Sequence, residues 1–271
     1  MSTFQSDVLQ GKVAFVAGGT SGINLEIARN YARLGARVAV MSRSQERVDR
    51  AIELIGAQGA QVMGIAADVR DYEAVSAAIE SVVKTFGKLD IVVSGAAGNF
   101  VCPAEQLTAK GFKTVVDIDL NGTFHVLRAA FDHANSGCSM INISAPQSTE
   151  SFWGQSHVAA AKAGIDMLTR SLAAEWGPRN IRVNAIVPGP IEGTEGMARL
   201  TPTPEMEKMI TTSIALRRYG STQDIADMAT FLATNAANYV TGTIMYCDGG
   251  QVLSGGGAQH AFMEQLQKQP S

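Results

Sequence analysis

Residues 17–24 read AGGTSGIN, between an apolar run and a segment with helical patterning. Gly18, Gly19 and Gly22 permit a tight turn and close backbone approach to a phosphate, with Thr20, Ser21 and Ile23 completing the loop. The helix that follows would offer unpaired N–H groups and a favourable dipole to an anion. The same letters can make a plain turn, but the flanking patterns are those a nucleotide-binding loop requires. The second apolar run ends VMSRS (40–44). An acid at this point would accept from a ribose diol; Arg43 stands there instead. A guanidinium suits a 2′-phosphate, so NADP(H) is expected over NAD(H); a solvated surface arginine is the other reading. Asp68 ends the third run, where its carboxylate can accept from an adenine amino group, cap the helix starting in RDYEAV, or both.

A second constellation lies in SHVAAAKAG (156–164), which reads as a helix carrying one cation, Lys162. Val158 precedes it by four residues and shares its face. His157 lies about 140° around an ideal helix from Lys162, so packing, capping or substrate contact suits it better than joint chemistry.

Seven short apolar runs must position these groups: 12–18, 37–42, 61–68, 89–95, 139–144, 181–189 and 242–250. They read as buried parallel strands. Amphipathic segments such as INLEIARNYARLG and YEAVSAAIESVVKTFG separate most of them, the second ending at Gly87 as a helix C-cap. The alternation predicts an α/β fold, a doubly wound parallel sheet with helices on both faces. No linker, repeat or shift in composition divides residues 1–271, so one dinucleotide-binding and catalytic domain is expected. Residues 190–220, with Pro190, Pro202 and Pro204, form a long insertion that reads as a substrate lid or a decorated surface loop. SGGGA (254–258) reads as loop or flexible terminus.

A net charge of −3, with acids and bases interspersed, argues against a nucleic-acid or anionic-membrane surface. No apolar run approaches the length of a membrane span. Cys102, Cys138 and Cys247 are too few and scattered for a disulfide framework, which suggests a reducing compartment. The polar opening MSTFQSDVLQ is no leader, and the final KQPS is not a peroxisomal tail, so a cytoplasmic protein is expected. No metal site is expected.

GGTSGI, DV (68–69), SGAAG (94–98), INIS, the Lys162 helix, NAIVPGPI and YVTGTIMYCDGG (239–250) occur in one order. Together they resemble the short-chain dehydrogenase/reductase family along nearly the whole chain. The resemblance implies that the doubly wound sheet is Rossmann-type, with a nicotinamide cofactor and a homotetramer. It adds Val69, Pro188, Gly189, Ile191, Thr194 and Lys162 to the cofactor-binding residues. Ordinary members use an Asn–Ser–Tyr–Lys set. Here their tyrosine falls on Val158, their serine on Ala145 and their asparagine on Asp119; only Lys162 survives. Ser144 and Asn121 are near the vacated positions but are no simple replacements.

That pattern is similar to the 2,4-dienoyl-CoA reductase branch, especially its peroxisomal type, which lacks the tyrosine and carries aspartate at the asparagine position. AAGNF (96–100), FKTVVDID (112–119), AAEWGPRNIRVN (173–184) and PGPIEGTEGMARL (188–200) extend the match. Asp119 and Lys162 are then the expected catalytic residues. Arg43, Arg70 and Arg199 are expected against CoA or cofactor phosphates, with Asn99 and Phe100 lining the acyl pocket. The implied reaction is hydride delivery from NADPH to a conjugated acyl thioester, then water-mediated protonation to a 3-enoyl-CoA. Asp119 would orient water or, as a neutral acid, donate a hydrogen bond. Two other readings stand beside it: reduction of another carbonyl or enoyl substrate, and a silent NADP(H)-binding sensor or scaffold. Asn24 departs from the family by replacing the last loop glycine, and SAPQSTESFWGQS (144–156) matches no branch closely.

Overall fold

The computed structural model describes residues 4–57, 59–194, 197 and 203–254. Its centre is a seven-stranded parallel sheet in the order β3-β2-β1-β4-β5-β6-β7. The strands are β1 (Val13–Ala17), β2 (Arg37–Ser42), β3 (Val62–Ala66), β4 (Leu89–Ser94), β5 (Ala134–Ile143), β6 (Arg182–Pro188) and β7 (Ile244–Cys247). The helices are α1 (Gly22–Arg33), α2 (Gln45–Gly56), α3 (Tyr72–Phe86), α4 (Ala109–Val116), α5 (Gly122–Phe131), α6 (Ser156–Trp176), α7 (Pro204–Ser213) and α8 (Thr222–Ala233). This is the doubly wound architecture expected from the alternating runs, and the Rossmann-type one implied by the resemblance.

The strand alternation of side chains builds two cores. Val13, Phe15 and Ala17 of β1 join Ile79 of α3, Leu127 of α5 and Leu172 of α6 on one face. Ala14 and Val16 join Ile27 and Tyr31 of α1, Ile55 of α2 and Leu232 of α8 on the other. Both faces are covered, so β1 is apolar at every position rather than at alternate ones. Each large side chain so buried contributes about 1.5–3 kcal/mol. Tyr31 is fully buried because its hydroxyl donates to the Ala229 carbonyl at 3.0 Å, which ties α1 to α8.

Two expectations shift. The runs at 61–68 and 242–250 form the edge strands β3 and β7, which are only half-buried because each has one neighbour. β5 begins five residues before the apolar run at 139–144, at Ala134, which pairs with Leu89 across a register irregularity. ANSGC carries no apolar period to announce that extension. Gly87 does cap α3, at φ 94°, with its N–H donating to the Val83 carbonyl.

The chain winds from β1 outward to β3, then returns to place β4 on the other side of β1. Ligands in open sheets of this kind bind at the carboxyl ends of strands beside such a reversal. The Gly18 loop leaves β1 there, and Gly95 follows β4.

Candidate active site

A hollow of about 220 Å³ opens at the carboxyl ends of β1, β2 and β3. Gly18, Thr20, Ser21, Arg43, Asp68 and Val69 line it, and so does Arg47 of α2. A Cβ on Gly18 (φ +78°) would lie 2.8 Å from the Ala96 nitrogen, so the loop requires glycine at this approach. Ser21 precedes α1 without capping it through its side chain, so the first-turn N–H groups have no side-chain acceptor. Gly19 does not line the hollow; it lies against Val16 and Val40 beneath the turn.

Asp68 is not the helix cap. Asp71 is, accepting from the Ala74 nitrogen at 3.1 Å, because it alone directly precedes α3. The Asp68 carboxylate instead clasps the Arg70 guanidinium, with Nη2 at 2.6 Å and Nε at 3.0 Å. That hydrogen bonding holds the Asp68 carboxyl below the usual carboxylate range. Arg70 itself does not line the hollow. His125 of α5 fixes the same loop through Nδ1, 2.8 Å from the Val69 carbonyl.

Asn24, Gly95 and Ala97 also line a second cleft, of about 510 Å³, which continues from the first. Its walls bring together Gly22, Ile23, Asn99, Asp119, Lys162, Pro188, Gly189, Ile191 and Thr194. Lys162 Nζ donates to the Ile143 carbonyl at 3.1 Å and lies 3.3 Å from Asp119 Oδ2. The Gly98 N–H donates to Asp119 Oδ1 at 2.7 Å. Both side chains are almost wholly buried, at 7% and 1% exposure. The charges therefore depend on each other, and removing one would leave the other uncompensated in a low-dielectric wall. Oδ1 accepts from the Gly98 N–H, while Oδ2 is buried without a hydrogen bond and meets Lys162 as an ion pair.

A single π turn, Asp117–Asn121, joins α4 to α5 and carries Asp119. It changes the phase of the helix midway. Before it, Val115 packs with Val158 and Ala161 of α6; after it, Val126 and Leu127 face the sheet. Asp119 emerges at the change of phase. Such turns interrupt helices mostly where function demands it.

Val158 occupies the wall above Lys162 as an apolar plug, 3% exposed and packed with Val115, Leu120 and Ala161. Ser144 lines the cleft, yet its hydroxyl donates to Asp166 at 2.5 Å. Asn121 donates to Asp117. Neither side chain fills a vacated catalytic position. His157 is fully buried with its ring 4.4 Å from that of Phe100; burial lowers its pKa. Phe100 is 41% exposed and does not itself line the cleft.

Asn24 does not obstruct helix–strand packing. Its amide donates to the Gly95 carbonyl at 2.8 Å, fitting a space that a Cβ at Gly95 would overlap.

The 190–220 segment is pinned at its base. Gly220 N–H donates to Pro190 at 3.0 Å, and Glu192 N–H to Gly220 at 2.9 Å. Thr194, Met197 and Ile210 reach the cleft wall. Arg199 lies outside the described residues, as do 195, 196, 198, 200–202 and the 255–258 part of the glycine-rich tail.

Sequence reasoning missed Arg47, Gln147 and Gln155. Arg47 sits in the first turn of α2, one turn beyond Arg43, so its common orientation is readable only once α2 is placed. Gln147 and Gln155 fall in the stretch that matches no branch.

A family model described as "Enoyl-(Acyl carrier protein) reductase" matches residues 17–251. A short-chain dehydrogenase/reductase from Serratia marcescens superposes with a TM-score of 0.85, at 32% identity, covering 90% of this chain and 99% of that one. This chain belongs to the short-chain dehydrogenase/reductase family. It is accordingly an oxidoreductase. The peroxisomal 2,4-dienoyl-CoA reductase of Rattus norvegicus is 44% identical to this reductase over 254 residues, 93% of this chain and 87% of its own length. The Arabidopsis thaliana protein of the same name is 43% identical over 264 residues, 93% of this chain and 88% of its own. A probable 2,4-dienoyl-CoA reductase of Bacillus subtilis is 40% identical, covering 91% of this chain and 98% of its own. Among the described residues, no helix of this reductase is long and apolar enough to cross a membrane.

Proposed function

We propose that this reductase converts a 2,4-dienoyl-CoA to a 3-enoyl-CoA with NADPH. The observation that carries the reading is the buried Lys162–Asp119 pair beside an apolar plug at Val158, in an acyl-sized cleft. A ketone reductase must protonate an alkoxide and needs an acid at the plug position. A conjugated thioester, once reduced, becomes a dienolate that needs electrostatic stabilisation and a proton at carbon.

The cradle fits a phosphorylated dinucleotide. Gly18 excludes a side chain, the first turn of α1 has no side-chain cap, and Arg43 with Arg47 supplies charge for a 2′-phosphate. When bound, NADPH would supply the hydride for the δ carbon. Lys162 lends positive charge to the far end of the cleft and holds the ribose. Asp119, held at Oδ1 by the Gly98 N–H and paired with Lys162, orients through its unbonded Oδ2 the water that delivers the proton. Asn99 presents an amide to the thioester end. Arg70 and Arg199 would meet CoA phosphates, and Phe100 would back the acyl wall through His157.

Relatives named as (3E)-enoyl-CoA producers and the Bacillus subtilis relative, named as a (2E)-enoyl-CoA producer, bracket the outcome. The apolar plug in place of an acid supports the 3-enoyl product. NADPH oxidation with hexadienoyl-CoA and mass-spectrometric location of the remaining double bond test this. Lys162→Ala and Asp119→Ala each lower kcat by about 10²–10³-fold, the loss expected for a preorganised charge. Full activity in both, or turnover of ketones without dienoyl-CoA, would overturn the reading. NADPH binding with no turnover across acyl-CoA and carbonyl panels would favour a silent sensor.

The same proposal takes the protein as a cytoplasmic homotetramer that binds neither nucleic acid nor membrane. Native mass spectrometry and fractionation of an epitope-tagged chain test the assembly and the compartment.

A further inference from the structure

Three amides form a directional chain along one wall of the cleft. Gln147 Nε2 donates to Gln155 Oε1 at 2.9 Å, and Gln155 Nε2 donates to Asn99 Oδ1 at 3.0 Å. Gln155 is 4% exposed and stands at the N-terminus of α6, the helix that carries Lys162. Asn99 faces the open cleft. Once its oxygen accepts from Gln155, the group Asn99 has left to present is its NH2. A primary amide has a donor end and an acceptor end of nearly equal shape. Which end meets the substrate is decided by the neighbour that claims the other.

The next residue is held from the same helix turn. His157 lies against the Phe100 ring at 4.4 Å, two positions after Gln155. The first turn of α6 thus grips Asn99 with an amide and Phe100 with an imidazole. Lys162 lies further along that helix, and its partner Asp119 takes the Gly98 N–H immediately before the gripped pair.

We propose that Gln155, backed by Gln147, is a positioning residue: it fixes the Asn99 amide with its donor toward the thioester oxygen. This rests on the proposed acyl-thioester substrate. It adds that the polarity Asn99 shows the substrate is set by the neighbour that claims its oxygen. Gln155→Leu frees the Asn99 amide to turn. Gln155→Glu goes further, because a carboxylate can only accept. It would recruit the Asn99 NH2 and aim the Asn99 oxygen at the thioester oxygen, where it repels.

The test uses the full chain with NADP⁺ and hexadienoyl-CoA, a pair that cannot transfer hydride. The readout is the infrared stretch of the bound thioester carbonyl. Wild type lowers the stretch relative to free substrate. Asn99→Ala and Gln155→Leu lose most of that shift, their double variant loses no more, and Gln155→Glu removes it. In turnover, Gln155→Leu lowers kcat about tenfold or more with little change in KM, as removal of a preorganised donor does. NADPH affinity and melting temperature of Gln155→Leu and Gln155→Glu are checked first. If Gln155→Leu misfolds, the Gln147→Leu variant, which removes only the backing amide, gives a partial loss of the shift. An unchanged carbonyl stretch in Gln155→Glu, or none in wild type, overturns the proposal. A wild-type shift lost in both Gln155 variants, with no reduction of dienoyl-CoA by NADPH, leaves the positioning role standing and overturns the reductase reading instead.

Discussion

At the level of single residues, the hollow beside Gly18 is governed by charge and the Lys162–Asp119 pair by its withdrawal from solvent. Arg43 and Arg47 flank one hollow from the end of β2 and the first turn of α2. The doubly substituted Arg43→Ala/Arg47→Ala chain should bind NADPH at least about tenfold more weakly, as two charge-assisted contacts imply, with NADH little affected. Equal losses for the two cofactors would mean that neither arginine reads the 2′-phosphate. Arg43 was legible in the sequence because it replaces an acid at a strand end. Arg47 was not, because its role depends on how α2 leaves β2. The family resemblance singled out Lys162, which survives, and Asp119, which changes, at positions whose partners in the pattern had vanished. What sequence spacing could not convey was their 3.3 Å pairing, or that Asp68 would be claimed by Arg70.

At the level of elements, local chemistry sets the boundaries. Ser221 and Asp224 begin α8 with a capping box: the Ser221 hydroxyl accepts from the Asp224 N–H, and the Asp224 carboxylate takes the Ser221 N–H at 2.7 Å. That backbone bond, with the Ser221 hydroxyl and Arg218, holds the Asp224 carboxyl below its ordinary value of 3.8. A depressed carboxylate contributes stability above its unfolded value and loses it as pH falls through the folded one. Asp224→Ala should therefore destabilise the protein by about 1 kcal/mol near neutrality. The gap from wild type should close as pH drops below 3.8. Urea unfolding across that range measures it, and a gap that persists in acid would show the loss to be one of packing. The strand runs and the Gly87 cap were readable from periodicity and turn chemistry. The early start of β5 was not, since ANSGC shows no apolar alternation and is tied to β4 by the Asn135 amide. Nor was the π turn, for which 3.6-residue periodicity has no symbol.

Across the whole molecule, both cores share one sheet, and the edge strand β7 is joined to β1–β3 only through β4–β6. Unfolding should accordingly be a single cooperative transition. NADPH at a hundred times its Kd should add about 2.7 kcal/mol by mass action. Two separated transitions in calorimetry, one alone moved by NADPH, would point to two domains. The doubly wound parallel sheet was implied by the alternating pattern, but which sequence-distant loops close on one another was not: Gly98 meets Asp119, and Gly220 meets Pro190, only in three dimensions. The π turn shows what that closure implies for engineering. A designer scoring residues 109–131 for helical regularity would delete one position or straighten the register, and the helix itself would gain. The carboxylate of Asp119, proposed to orient water, would then swing about 100° off its bearing. Thermostability and turnover are in direct competition over one surplus residue.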